Sequence, residues 1–263
     1  MSAIQPGLCS VTFRQLRVDQ IIDLAAESGI AGIEWGADVH VPVGELDTAG
    51  DVARRCTEVD VACASYGTYL GAREPIADAS AVVAACETAA ALGTTNLRVW
   101  AQLGVDSTAD DETRAPVTAG IGLAADVAAR HGMTVGVEFH TGTITDTGES
   151  AARLMRDVGA DNLFSYWQPN FWVEQPEDNA GQLDAMRTVL TDVSHLHTFW
   201  WLARGERRSL DEGADLWTRA LPEVEAAETR WTGTRYAFLE FVADDDPDRF
   251  RADAATLRGW LAD

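Results

Sequence analysis

Apolar and polar positions alternate at a period of two over Thr134-Val135-Gly136-Val137-Glu138-Phe139-His140, with Val135, Val137 and Phe139 on one side and Gly136, Glu138 and His140 on the other. Such alternation marks a strand whose apolar face packs on helices while its other face carries Glu138 and His140 near the C-terminal end. Comparable segments recur along the chain, and stretches of helical period separate them. The pattern predicts strands over 7–13, 32–36, 61–66, 96–100, 134–140, 162–168, 193–199 and 236–242. Helices are predicted over 17–28, 48–58, 79–92, 114–130, 149–158, 180–190, 210–229 and 247–261. Local signals support these assignments: Ile21, Ile22, Leu24 and Ala25 line one helical face before Gly29, Gly93 stops another helix, and Asp246-Pro247 opens the last. His131, just before Gly132, reads as a residue at a helix C-terminus near the negative dipole end.

Eight strand-then-helix units in 263 residues predict an α/β fold, a (β/α)8 barrel occupying 1–263 as one domain, in preference to an open doubly wound sheet. No G-x-G-x-x-G follows the first strand, which leaves a dinucleotide site without support.

Period-two parity then selects a set of side chains. Glu138 shares a face with Gly136, Gln168 with Tyr166 and Phe164, His197 with His195, and Glu240 with Phe238. In a barrel that face points to the axis, so Glu138, Gln168, His197 and Glu240 converge at one mouth. Burying two carboxylates and an imidazole together costs several kcal/mol each unless something compensates them, and a divalent cation does so. Two carboxylates, an imidazole and an amide oxygen form a mixed hard donor set suited to Mn2+, with Mg2+ or Co2+ next and Zn2+ less apt. The alternative is a satisfied polar core in which the glutamates pair with Arg98 or Arg204.

Composition narrows the chemistry. The formal net charge of −22 repels a nucleic-acid backbone and an anionic membrane surface. Every basic residue counted under Lys+Arg is Arg, which removes Schiff-base, pyridoxal-phosphate and phosphate-loop lysine mechanisms. Cys9, Cys56, Cys63 and Cys86 lack C-x-x-C spacing and read as free thiols in a reducing cytoplasm. The N-terminal residues carry no basic stretch followed by an apolar one, and no apolar run reaches the length of a membrane span. Self-association into a homo-oligomer is compatible with the sequence, which does not fix it.

Four segments carry a resemblance. Gly32-Ile33-Glu34-Trp35-Gly36, Val137-Glu138-Phe139-His140, Ser194-His195-Leu196-His197 and Phe238-Leu239-Glu240-Phe241-Val242 are similar to motifs of the xylose isomerase-like TIM-barrel family, the sugar phosphate isomerase/epimerase group, over the whole chain. That group includes ketose 3-epimerases, hydroxypyruvate isomerase and inosose dehydratase. The resemblance implies that Glu138 and Glu240 are metal ligands that also shuttle protons and that His197 is a third ligand. Gln168 stands where the family has an aspartate, and Phe171 where it has a histidine; Gln168 follows Glu138 by 30 residues and His197 follows Gln168 by 29. The neutral amide leaves the site one negative charge short, which lowers metal affinity and sharpens the metal's Lewis acidity.

Around the mouth the sequence places Glu34, His40, Tyr66, Arg98, Trp100, His140, Asn170, Trp200 and Arg204 as substrate-binding candidates, with further tryptophans as a platform for a sugar ring. His195, deeper on its strand, reads as a supporting or core histidine. The Asp244-Asp245-Asp246 loop repels an anion, which favours an unphosphorylated sugar or keto-polyol; Arg204, Arg207 and Arg208 keep the phosphate alternative open. The leading expectation is a metal-dependent isomerase or epimerase working through an enediolate. A lyase on the same scaffold, either a keto-polyol dehydratase or a C-glycoside-cleaving enzyme, and a non-catalytic carbohydrate-binding subunit are the alternatives.

Overall fold

The computed structural model describes residues 4–262. Its staves are β1 (Ile4–Cys9), β2 (Gly32–Gly36), β3 (Ala62–Gly67), β4 (Asn96–Val99), β5 (Thr134–Glu138), β6 (Leu163–Trp167), β7 (Val193–Thr198) and, last in the chain, β10 (Arg235–Leu239). They close into a barrel in the order β1-β10-β7-β6-β5-β4-β3-β2, every pair parallel. Helices α1 (Val18–Glu27), α2 (Leu46–Glu58), α3 (Ala79–Leu92), α4 (Asp111–Arg130), α5 (Gly148–Val158), α6 (Asn179–Val189), α7 (Ala214–Ala226) and α8 (Pro247–Ala262) return the chain between and after them. The expected (β/α)8 barrel is the observed fold.

Caps explain where helices start. Asp110 accepts from the Thr113 amide and opens α4 three residues before the first residue expected to be helical, while Thr147 and Asp178 cap α5 and α6 in the same manner. The first strand needs a larger correction. It ends at Cys9, and Ser10–Phe13 turn into a buried 3-10 segment, because the Ser10 hydroxyl leaves the ladder to accept the Gly36 amide at 2.8 Å. The expected helix over 210–229 is a short 3-10 turn at Leu210–Gly213 followed by α7.

An element with no expectation behind it follows β7. Trp200–Leu202 (β8) and Glu206–Arg208 (β9) pair antiparallel with each other and with no stave of the barrel. Arg204 and Gly205 turn the hairpin with φ of 62° and 71°. Among the described residues no helix is long and apolar enough to cross a membrane.

Large rings fill the lower lumen because glycines leave room for them. A Cβ on Gly136 would lie 2.1 Å from the Tyr166 ring, and one on Gly32 would lie 2.5 Å from the Tyr236 ring. Above this aromatic layer the interior turns polar and charged.

Candidate active site

Period-two parity brings the four expected donors to one point. His197 Nδ1 lies 3.1 Å from Gln168 Oε1, 3.3 Å from Glu240 Oε2 and 3.8 Å from Glu138 Oε1. On the far side of the ring, Nε2–H donates to Glu34 Oε1 at 3.3 Å. A carboxylate accepting from one ring nitrogen fixes the tautomer and leaves a lone pair on the other. Nδ1 of the neutral ring is therefore an acceptor facing three further acceptors, an arrangement that only a cation or an extra proton reconciles. A cation about 2.0–2.2 Å from each of two donors sets them roughly 3–3.6 Å apart; Gln168 and Glu240 stand at that spacing from Nδ1, and Glu138, at 3.8 Å, stands just beyond it.

Charge balance agrees with that fit. Glu34, Glu138, Glu240 and Arg98 are all buried. Arg98 Nε lies 3.3 Å from Glu34 Oε1 and its NH1 2.8 Å from Glu138 Oε2, and a further donation reaches the Thr68 carbonyl. With His197 neutral and every carboxyl ionised, three carboxylates less one guanidinium leave two negative charges, the complement of a divalent ion; without such an ion the imidazole takes up a proton in its place. Neither Glu240 Oε2 nor Glu138 Oε2 has an aligned hydrogen bond; their nearest positive groups are His197 Nδ1 at 3.3 Å and the Arg98 guanidinium at 2.8 Å.

The titration of these groups reflects the same crowding. Burial pushes Glu240 up to about 7, with His197 and Arg98 pulling the other way. Burial alone would lower His197, but Glu240 and Glu34 outweigh it and hold the imidazole up at about 9. For Glu34, burial is overcome by Arg98 and His197, and the carboxyl sits well below its ordinary range. Burial pulls His195 down to about 3, so it is neutral; its Nδ1 accepts the Tyr236 amide at 3.0 Å.

Cys9 is a member that the sequence reading did not single out. Its Sγ donates to Glu34 Oε1 at 3.4 Å and lies 3.8 Å from Glu240 Oε1, and a donor atom from each of Cys9, His197 and Glu240 falls within 4.8 Å of the others. Ser65 was missed as well, and its hydroxyl donates to Glu34 Oε2 at 3.0 Å. The signal for Cys9 was its parity with Gly7 on β1, which the misplaced end of that strand obscured.

The other expected contacts divide. Trp100 and His140 stand together at the rim with centroids 4.6 Å apart, and Tyr69, not anticipated, stacks on Trp100 at 6.3 Å with the Arg98 guanidinium 5.7 Å from the Trp100 ring. Asn170 is half-buried beside them, its side chain accepting from the Thr141 hydroxyl. Glu34 and Arg98 lie inside the cluster itself.

Four candidates are engaged elsewhere. His40 Nε2–H donates to the Leu16 carbonyl at 3.2 Å and Nδ1 meets the Ser10 hydroxyl at 3.0 Å, leaving neither nitrogen for a ligand. Tyr66 points outward and donates to the Val41 carbonyl at 2.7 Å, because a bulge in β3 passes the inward position to Ser65. Trp200 packs on Phe171 with centroids 5.0 Å apart. Arg204 is 72% exposed and bound to Glu174 at 2.8 Å, a solvated pair. Arg207 and Arg208 are likewise taken up, by Asp245 and Glu206.

A closed parallel barrel with a buried carboxylate, imidazole and amide cluster at the C-terminal ends of its staves is the arrangement in which this fold exposes chemistry. The family model described as Xylose isomerase-like TIM barrel matches residues 22–228, and the chain belongs to that family. Among solved structures, the probable 3-DHS dehydratase AsbF of Bacillus anthracis is similar at a TM-score of 0.76 and 20% identity, covering 97% of this chain and 99% of that one. D-allulose 3-epimerase from Methylomonas sp. is similar at 0.69 and 16%, covering 99% of each. A xylose isomerase-like TIM barrel protein from Mycobacterium smegmatis, in complex with magnesium, is similar at 0.71 and 14%, covering 99% of this chain and 98% of that one. No curated protein matches the sequence. At these identities the likeness is one of fold.

Proposed function

We propose that the protein is a divalent-metal-dependent isomerase or epimerase of an unphosphorylated sugar or keto-polyol, with Glu138, Gln168, His197 and Glu240 as metal ligands and Mn2+ as the preferred ion. One observation carries the reading: Gln168, Glu240 and Glu138 each turn a side-chain oxygen to within 3.8 Å of His197 Nδ1 in a buried cluster. A divalent cation bound there supplies polarisation of a carbonyl and a neighbouring hydroxyl oxygen, which makes the carbon between them acidic.

The chain's own residues do the rest. One of Glu138 and Glu240 removes the proton from that carbon, giving an enediolate. The other, entering the step protonated, gives its own proton to the opposite face for epimerisation, or to the adjacent carbon for isomerisation, and the two exchange protons with solvent between turnovers; each role is worth about 10²- to 10⁴-fold. Glu34 holds the His197 tautomer, and Arg98 keeps Glu138 fixed on its outer oxygen. Trp100, Tyr69 and His140 form a wall for the C–H face of a sugar. Pairing of Arg204, Arg207 and Arg208 with carboxylates supports an unphosphorylated substrate. Four free cysteines fit a reducing compartment, the cytoplasm.

A second reading is dehydration through the same enediolate. It is favoured by Phe171, buried against Phe199 and Trp200 where the family resemblance puts a polar histidine, and by the dehydratase among the structural neighbours. Incubating the Mn2+-loaded protein with ketoses and keto-polyols in deuterated water tests both. Deuterium at the exchanged carbon with the skeleton retained supports isomerase or epimerase. An unsaturated, absorbing product supports the dehydratase, and no exchange with any compound leaves only a carbohydrate-binding role.

A further inference from the structure

The four donors are exposed by 5% or less, at the floor of the barrel mouth. Three of the strands that carry them run directly into aromatic residues: Phe171 and Trp172 beyond Gln168, Phe199 beyond His197, Phe241 beyond Glu240. These rings meet the β8–β9 hairpin. Trp201 lies 4.8 Å from Trp172, 4.6 Å from Phe199 and 5.4 Å from Phe241.

The hairpin is held by few contacts that are not aromatic. At its tip the Arg204 amide donates to the Val173 carbonyl at 2.9 Å and the Gly205 amide to the Phe171 carbonyl at 3.0 Å. At its base Arg207 pairs with Asp245 at 2.5 Å, its guanidinium over the Trp201 and Phe241 rings. The backbone around it is strained: Arg204, Phe241, Asp244 and Asp245 have φ of 62°, 49°, 61° and 51°. A phenylalanine in the left-handed region persists only where the surroundings impose it, and such positions cluster where a segment has two arrangements.

We propose that the β8–β9 hairpin is a hinged roof over the cluster, latched by the Trp201 ring, and that its opening is the route by which small molecules reach Glu138, Gln168, His197 and Glu240. Its use as a substrate gate rests on the function proposed above. The opening itself belongs to the polypeptide and is measured without metal or substrate.

Cys9 reports it from inside, since it is buried against Glu34 and Glu240, and Cys86, buried in α3, is the control. Native metal-free protein is treated with iodoacetamide over a series of low urea concentrations, and alkylation is mapped cysteine by cysteine. The roof predicts that the Cys9 rate is flat in low urea while the Cys86 rate climbs, because a local opening exposes little surface. Trp201→Ala raises the Cys9 rate about 10-fold or more beyond any rise at Cys86, with Trp201→Phe in between. If Trp201→Ala does not fold, Arg207→Ala, which frees the hairpin from Asp245, is read in the same way. The proposal is overturned if both cysteines climb together with urea or if the variant leaves the Cys9 rate unchanged. A gated Cys9 with no sugar exchange discards the proposed chemistry and keeps the roof, and the reverse result keeps the chemistry alone.

Discussion

The two ends of the barrel lumen are built on the same staves and bury polar groups in different ways. Toward the N-terminal end, Asn96, Ser65, Tyr166 and Thr134 form a network of neutral side chains: the Tyr166 hydroxyl donates to Ser65 Oγ at 2.7 Å, the Thr134 hydroxyl to Asn96 Oδ1 at 2.8 Å, and Asn96 Nδ2 to Ser65 Oγ at 3.1 Å. Each donor of these four side chains has an acceptor, the Ser65 hydroxyl reaching up to Glu34 Oε2 at 3.0 Å. At the C-terminal end, Glu138, Glu240, Gln168 and His197 Nδ1 present acceptors to one another, and two carboxylate oxygens lack an aligned partner. A fully satisfied network stiffens a core, while a half-satisfied one is tolerated only where function needs it. The contrast separates the end that holds the barrel together from the end that can do chemistry.

The contrast is broken most severely at Glu138. Glu138→Gln keeps the shape and removes the charge, and hydrogen–deuterium exchange into substrate should fall by about 10²- to 10⁴-fold while the circular dichroism stays that of the parent. Unaltered exchange would reject the proton-shuttle role. At the other end the effect falls on stability. Tyr166→Phe removes one hydrogen bond to Ser65 and one from Asn96, and should cost about 1–2 kcal/mol in urea unfolding, with exchange per folded molecule unchanged.

The smallest effect lies outside both ends. Burial pushes Asp253 up to about 6 against an ordinary value near 3.8, while its Oδ1 accepts the Leu210 amide at 2.9 Å. A carboxyl with a raised folded pKa binds its proton more tightly when folded, so the cost of its charge is present above pH 6 and relieved as pH falls toward 4. Asp253→Asn retains the acceptor without the charge. It should stabilise the protein by about 1–2 kcal/mol at pH 8 and by little at pH 4, read as the difference in unfolding midpoints.

Much of this architecture was readable before any coordinates. Alternation at period two placed Glu138, Gln168, His197 and Glu240 on the inner face, and the structure puts them there. What parity cannot carry is a change of register. The bulge in β3 exchanges the roles of Ser65 and Tyr66, and a one-residue slip turns every later side chain to the other face. The early end of β1 at Cys9 hid that thiol, since the chain leaves the ladder for the Ser10 contact with Gly36, a long-range bond that no local pattern announces. His40 was misread for a similar reason, its partners Ser10 and Leu16 lying far away in sequence. The hairpin did leave a trace: Gly205 in a three-residue turn between Trp200–Leu202 and Glu206–Arg208 is a recognised hairpin signal, overridden by the helical pattern that follows.

Equilibrium dialysis of the chelator-treated protein against Mn2+, run beside His197→Ala, tests the four-donor site without reference to any substrate. One ion retained per wild-type chain and none by the variant is the expected result. A wild-type chain that retains no ion, or a variant that retains it as well as the parent, would contradict it.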